Sequence, residues 1–126
     1  MTDEKLAAAI SSEFAKLEIC PIYDYWLPPE ENPGTYVNLG NVSQGTVPTK
    51  GTGTIEELTI YYHVWTDRLD RRADVISIMD RLTKIARYLV VDGMNTVLTH
   101  TEHHVMTDTS TTTPFLHGVV LFEFTH

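Results

Sequence analysis

One run of this chain, Thr54 to Leu89, passes from a strand pattern straight into a helix pattern and constrains the fold more than any other part. Between Ile55 and Trp65, Leu58, Ile60, Tyr62 and Val64 fall on one side of an extended chain. Thr59, Tyr61, His63 and Trp65 fall on the other, because successive side chains of a strand alternate. Both sides are bulky, so neither is expected to stand bare to water. One can pack on helices of the same subunit, and the other needs a second cover. Thr66 or Asp67 then reads as a helix cap. Leu69, Ala73, Ile76, Met79, Leu82, Ala86 and Leu89, widened by Val75, Ile78 and Ile85, trace an apolar stripe that reaches about Val90. Asp92-Gly93 is the expected stop.

The flanking segments extend the pattern. Leu6, Ile10, Phe14 and Leu17 share one stripe of a helix predicted from Asp3 to Leu17, with Thr2 as its cap and Asp3 and Glu4 at the positive end of its dipole. Ile22 to Trp26 suits a short extended piece, after which Pro28, Pro29, Pro33 and Gly34 impose an irregular connection. Tyr36 to Val42 alternates like a strand, with Gly40 marking a bulge or a close backbone approach. Ser43 to Thr54 has little to bury and contains Gly45, Pro48, Gly51 and Gly53, so an exposed, mobile loop suited to binding is expected there. Thr96 to Thr107 and Phe115 to Thr125 read as two further strands around a turn at Asp108 to Pro114. The expected fold is a single α+β domain over residues 1–126: an antiparallel sheet of about four strands with two main helices on one face, in the order α-β-β-α-β-β.

Composition narrows the function. A hydrophobic fraction of 42% in 126 residues allows a real core without disulfides or metal. No apolar run is long enough to span a membrane, and the acidic, alanine-rich N-terminus lacks the features of a signal peptide. The single cysteine, Cys20, fits a reducing compartment and reads as a buried structural thiol rather than a nucleophile. The formal net charge is −8. The bases Arg68, Arg71, Arg72, Arg81, Lys84 and Arg87 are interleaved with Asp67, Asp70, Asp74 and Asp80, which describes an ion-paired helix face and not a phosphate-binding stripe.

Catalytic chemistry finds little support. No serine sits in a Gly-x-Ser-x-Gly elbow, the glycines form no phosphate-binding fingerprint, and the adjacent Glu56 and Glu57 point to opposite faces of a strand. The one cluster with ligand chemistry is His100-Thr-Glu-His-His104. On a strand His100, Glu102 and His104 point the same way and could offer two imidazoles and a carboxylate to a metal, with His63 or His117 on neighbouring strands. The plainer reading is a solvent-facing or interface strand whose histidines pack as amphipathic side chains.

Tyr36-Val-Asn-Leu-Gly40, the polar segment after it, Leu58-Thr-Ile-Tyr-Tyr-His-Val-Trp-Thr66 and Arg72-Ala-Asp-Val-Ile-Ser-Ile-Met-Asp-Arg-Leu82 together resemble the tail-completion proteins of long-tailed bacteriophages. These are also called tail terminators or tail-to-head joining proteins, and they occur in phages and prophages. The resemblance spans about Pro33 to Leu89, and its motifs are structural. It implies a non-enzymatic virion protein without a cofactor, assembled as a hexameric ring on the end of the tail tube. That ring would stop tube growth and offer a surface to the head-tail connector or stopper protein. The implied location is the tail or neck of the virion, and the host cytoplasm during assembly. DNA would pass an acidic lumen without specific binding, and no membrane is involved. A closed ring needs two different contact surfaces on each subunit, which exposed strand edges and a two-sided strand can supply. The residues expected at such contacts are Tyr61, His63 and Trp65 on the far face of the strand, with Gln44, Val47, Lys50 and Thr52 in the loop. The alternatives are another neck-ring component, such as a head-completion or stopper protein, and a small metal- or ligand-binding domain using His100, Glu102 and His104.

Overall fold

A computed structural model describes residues 2–26, 34–51, 53–110 and 113–126. The chain runs α1 (Thr2–Ala15), β1 (Ile22–Tyr23), β2 (Tyr36–Pro48), β3 (Thr54–Thr66), α2 (Arg72–Tyr88), β4 (Val97–Asp108) and β5 (Phe115–Thr125). The strands form one sheet in the order β1-β2-β3-β5-β4. Every pairing is antiparallel except that of β1, which runs parallel to β2 through Ile22 and Tyr23. The α+β class and the helix-covered sheet stand as expected, but the sheet has five strands and not four. A two-residue strand is too short to leave a periodicity in the sequence. It is held by position instead, with Val37 N donating to the Pro21 carbonyl at 2.9 Å.

Both helices lie on one face of the sheet, α1 over β1, β2 and β3, and α2 over β3, β5 and β4. Between the layers sits the main core, in which Leu58, Ile60, Tyr62 and Val64 of β3 meet Leu6, Ile10 and Phe14 of α1 and Val75, Met79 and Leu82 of α2. Tyr62 fastens α1 to the sheet with its polar end. Its hydroxyl donates to the Ala7 carbonyl at 2.9 Å and lies 2.8 Å from Ser11 Oγ. Burial holds that phenol well above its usual pKa, so it remains a donor. The α1 stripe stops before Leu17, which is exposed. Leu17 and Glu18 bond only three residues back, and Glu18 turns into the left-handed region at φ 52°, which ends the helix at Ala15.

The second helix begins later than its sequence suggests. Thr66 is the last residue of β3, paired with Leu116, and its hydroxyl accepts from Thr35 Oγ1 and from the Arg68 N–H. A turn over residues 67–71 then carries the chain from the sheet to the helix layer. Arg71 occupies the cap position without a side-chain cap. The buried stripe is Val75, Ile78, Met79, Leu82 and Ala86, leaving Leu69 and Ile76 exposed. Gly118 of β5 sets this rotation, because a Cβ there would lie 2.8 Å from Val75 Cγ1 and 2.9 Å from Met79 Sδ.

The largest departure concerns Ser43 to Thr54, which is not a loop. Ser43 to Pro48 continue β2 and pair with Thr54 to Thr59 of β3, leaving only residues 49–53 as the tip. The tip is closed by Thr49, whose N–H and hydroxyl both donate to the Gly53 carbonyl, and Gly51 takes φ 118°. Sequence periodicity could not show this extension, since Ser, Gln, Gly and Thr bury nothing. Backbone pairing to an already anchored β3 forms it.

Replacing Gly118 by Ala should lower the unfolding free energy by about 1–3 kcal/mol, because the stiff Val75 must give way. The same change at Gly45, where a Cβ meets nothing within 4 Å, should cost far less. Urea unfolding of the two variants checks the contrast, and equal losses would refute the close-approach role of Gly118.

Candidate assembly surface

The helix-free face of the sheet is only partly open. Toward the C-terminal end of β3 it carries a second core of Tyr36, Trp65 and Phe115, each nearly inaccessible, with Tyr23 packed against it. Trp65 is 2% exposed. Its indole N–H donates to Asn38 Oδ1 at 2.8 Å, and its ring stacks on the His117 imidazole with centroids 3.7 Å apart. Trp26 closes the cluster edge-on, 5.6 Å from Trp65 and 5.2 Å from His63, while remaining half exposed itself. The chain therefore supplies part of the cover that the far face of β3 needs. Trp65 is a core tryptophan, unavailable as a free anchor.

His63 and His117 form the polar edge of this cluster. A 2.7 Å hydrogen bond joins His63 Nδ1 and His117 Nε2, so one ring donates and the other accepts on a bare nitrogen. Gly40 makes room for the pair, since a Cβ there would lie 2.6 Å from His63 Nε2. Tyr61, further from the tryptophan, is partly buried. Sequence reasoning placed Tyr61, His63 and Trp65 on one face correctly. It missed Asn38 and Trp26, and treated His117 only as a possible ligand. The cross-strand matches of His117 to Trp65 and Asn38 to His63 become visible once strand order is known.

Two single-residue bulges decide what else lies on this face. Between Leu39 and Val42, β2 spends one residue more than β3. The alternation flips there, so that Val37, Leu39 and then Val42 all face the main core. A second bulge between Leu98 and His100 does the same in β4. Leu98 and Val105 pack on the core side, and His103 reaches Thr83 of α2 at 2.7 Å. His100, Glu102 and His104 are left on the helix-free face. There Glu102 sits between its neighbours, 3.1 Å from His100 Nε2 and 3.6 Å from His104 Nε2. The hydrogen bond from His100 chiefly holds its pKa down. All three side chains are about half exposed. Among the described residues no group of three or more ligand-type side chains converges on a metal position, and His63 and His117 are turned to each other.

The remaining contact candidates lie on the β2–β3 hairpin. Gln44, Val47 and Lys50 are exposed there, on a paired arm and its tip and not on a mobile loop; Thr52 lies outside the described residues. Val47 faces Ile55 across the arm, and both are 40% exposed, an apolar pair with no cover. The arm passes beyond β5, whose pairing with β3 starts at Glu57. Cys20 is partly buried, and burial pushes its thiol up to about 11, which leaves it protonated and unreactive near neutrality.

Burial lowers the pKa of His63, and burial together with the charge of His63 brings His117 down to about 4 against a smaller opposing pull from Asp108. The unfolded chain, with histidine near 6.5, then binds more protons than the folded one between about pH 6.5 and 4. Stability should be fully present above that window and fall as pH drops through it. Glu102 and Asp108, both held below ordinary carboxylate values, lose their contribution at still lower pH. Urea unfolding across the window should show the decline. His117→Gln, which keeps a hydrogen-bonding side chain without a titrating one, should flatten it, and an unchanged slope would assign the decline elsewhere.

No family model and no curated protein matches the chain. Among solved structures it is similar to one titled "Structure of bacteriophage SPP1 gp17 protein", with a TM-score of 0.63 and 24% identity over 99% of this chain and 91% of that one. It is also similar to a chain from a structure titled "Virion of native gene transfer agent (GTA) particle", with a TM-score of 0.56 and 18% identity over 94% and 92% of the two chains. At these identities the likeness is one of fold, and it extends over nearly the whole of each chain.

Proposed function

We propose that this chain is a structural virion protein that forms a ring on the end of a phage tail tube, ends tube polymerisation and presents the surface on which the head is joined. The observation that carries this reading is the fold likeness to two chains from phage or virion sources, end to end and without a large unmatched segment. The sequence resemblance to tail-completion proteins supports it independently, since its motifs fall on β2, β3 and α2, the scaffold of the fold. The role is one of assembly and not of catalysis. The ring is a hexamer, with the tail tube protein on one side and the head-tail connector or stopper on the other. No helix among the described residues is long and apolar enough to cross a membrane. Its place is the tail or neck of the virion, reached from the host cytoplasm. A net charge of −8 lets DNA slide through the lumen without adhering.

The hairpin arm is the part best suited to reach a partner. It extends beyond the main sheet and carries the uncovered Val47–Ile55 pair, with Lys50 at its tip. Tyr61, on the open part of the helix-free face, is a second contact. A stopper or head-completion ring would use the same surfaces, and pull-down against tail tube and portal adaptor separates the two. The histidine strand is read as part of an interface, because Glu102 is already shared between His100 and His104.

Loss of the gene should give overlong tails or unjoined heads, seen by negative-stain electron microscopy of lysates. Replacing Val47 to Ile55 by a two-residue Asn-Gly turn should leave the fold intact, because the described side chains removed are exposed or half-exposed. It should nevertheless fail to restore joined, normal-length particles. Normal particles from the shortened protein would remove the arm from the contact.

A further inference from the structure

The sheet ends in two free strand edges of different character. From Val42 to Pro48 the outer edge of β2 has no partner among the described residues, because β1 pairs only with Val37 and Asn38. At the opposite end β4 pairs with β5 alone along Val97–Asp108. Protection against strand addition is partial on both edges: in β2 it is a bulge before Val42 and a terminal Pro48, and in β4 a bulge after Leu98 with Glu102 and Asp108. The whole of β2 contains no charged residue, and β4 contains neither lysine nor proline. Edges of this length guarded only in part are expected to be covered in the working state.

The flanks of these edges differ in charge, acidic beside β2 and mixed beside β4, where two bases stand next to Asp80. Beside β2 runs an open groove of about 490 Å³ between α1 and the strand, lined by Glu4 and Asp24 together with Asn41 and Val42. Beside β4 stands α2, whose Asp80 and Thr83 reach His103 of that strand. Lys84 and Arg87, each four residues further on, share that flank of the helix and are exposed. Among the described residues none of Glu4, Asp24, Lys84 and Arg87 has an ion-pair partner within the subunit.

Resting on the ring reading above, we infer that the ring closes by strand pairing between copies, the β4 edge of one subunit adding to the β2 edge of the next. Lys84 and Arg87 of the first then come to lie against Glu4 and Asp24 of the second. Strand direction agrees with this joint. Along the sheet β2, β3, β5 and β4 alternate in direction. Subunits related by rotation about a ring axis parallel to the strands therefore meet β4 against β2 antiparallel, the pairing that extends the existing ladder. The two edges differ, so the contact is heterologous and propagates around a ring.

Charge exchange tests the joint. One variant carries Lys84→Glu and Arg87→Glu, the other Glu4→Lys and Asp24→Lys; all four side chains are exposed, and circular dichroism verifies folding. In native mass spectrometry and sedimentation at low salt, the wild type should form rings. Each variant alone should lose them, since its reversed flank meets a like charge on its own copy. An equimolar mixture should restore them with the two variants alternating, a pattern that an even-numbered ring can close. Wild-type rings that persist in both variants, or that the mixture fails to restore, would place the joint elsewhere while leaving the ring itself standing. A wild type that stays monomeric both alone and on isolated tail tubes would overturn the joint and the ring together.

Discussion

The strand β3 is buried on both faces near its C-terminal end, and the architecture follows from covering it. Leu58, Ile60, Tyr62 and Val64 lie on the helix side at essentially no exposure, and Trp65 is equally inaccessible on the other. Tyr62 meets this demand with more than area. Its ring packs edge-on to Phe122, and its hydroxyl is tied to Ala7 and Ser11, so that α1 cannot shift along the sheet without stranding a buried hydroxyl. On the opposite face Asn38 plays the matching part for the Trp65 indole. Both contacts join a buried aromatic to a polar group from a different element, giving each layer a defined place as well as an apolar surface.

Alternation along the strands would have put the wrong residues in these layers had it run unbroken. Without the extra residue in β2, Asn41 and not Val42 would point at the core. Without the one in β4, His100 and Glu102 would lie beneath α2. A buried carboxylate with two imidazoles there would need compensating partners that the core does not provide. The bulges thus keep the core apolar and deliver His100, Glu102 and His104 to the helix-free face, where water and mutual hydrogen bonds satisfy them.

What was legible in the sequence follows the same division between side-chain pattern and backbone context. The two faces of β3, the last strand Phe115–Thr125 and the presence of two helices were all readable, because apolar spacing encodes them. The arm from Ser43 to Pro48 was not, because its residues are strand only by virtue of the partner beside them. Gly118 lets Val75 and Met79 approach the sheet closely, a contact that the spacing of apolar residues does not record. The self-cover of Trp65 was hidden for a related reason. Trp26 stands 39 positions before Trp65 in the chain (65 minus 26) and meets it only through the fold. Of the candidate contacts, Tyr61, His63, Gln44, Val47 and Lys50 keep some accessibility, whereas Trp65 is taken up by the second core.

The same uncharged stretch that hid the arm from sequence analysis bears on how a subunit of this kind can pair. A strand edge protects itself from association by carrying charge, proline or an irregularity. In β2 the proline is confined to the last position and the bulge to the region next to β1, which leaves a regular, neutral ladder between them. Such an edge would accept many strands, so selectivity has to come from its surroundings. Glu4 and Asp24 line the groove that reaches this edge at Val42, and would repel an acidic neighbour there. A second β2 edge would bring the same two carboxylates and be disfavoured, whereas in the proposed joint the β4 edge would arrive with Lys84 and Arg87. In the proposed joint, neutral backbone would supply the binding and charged flanks the choice, favouring the unlike edge over a symmetric pair.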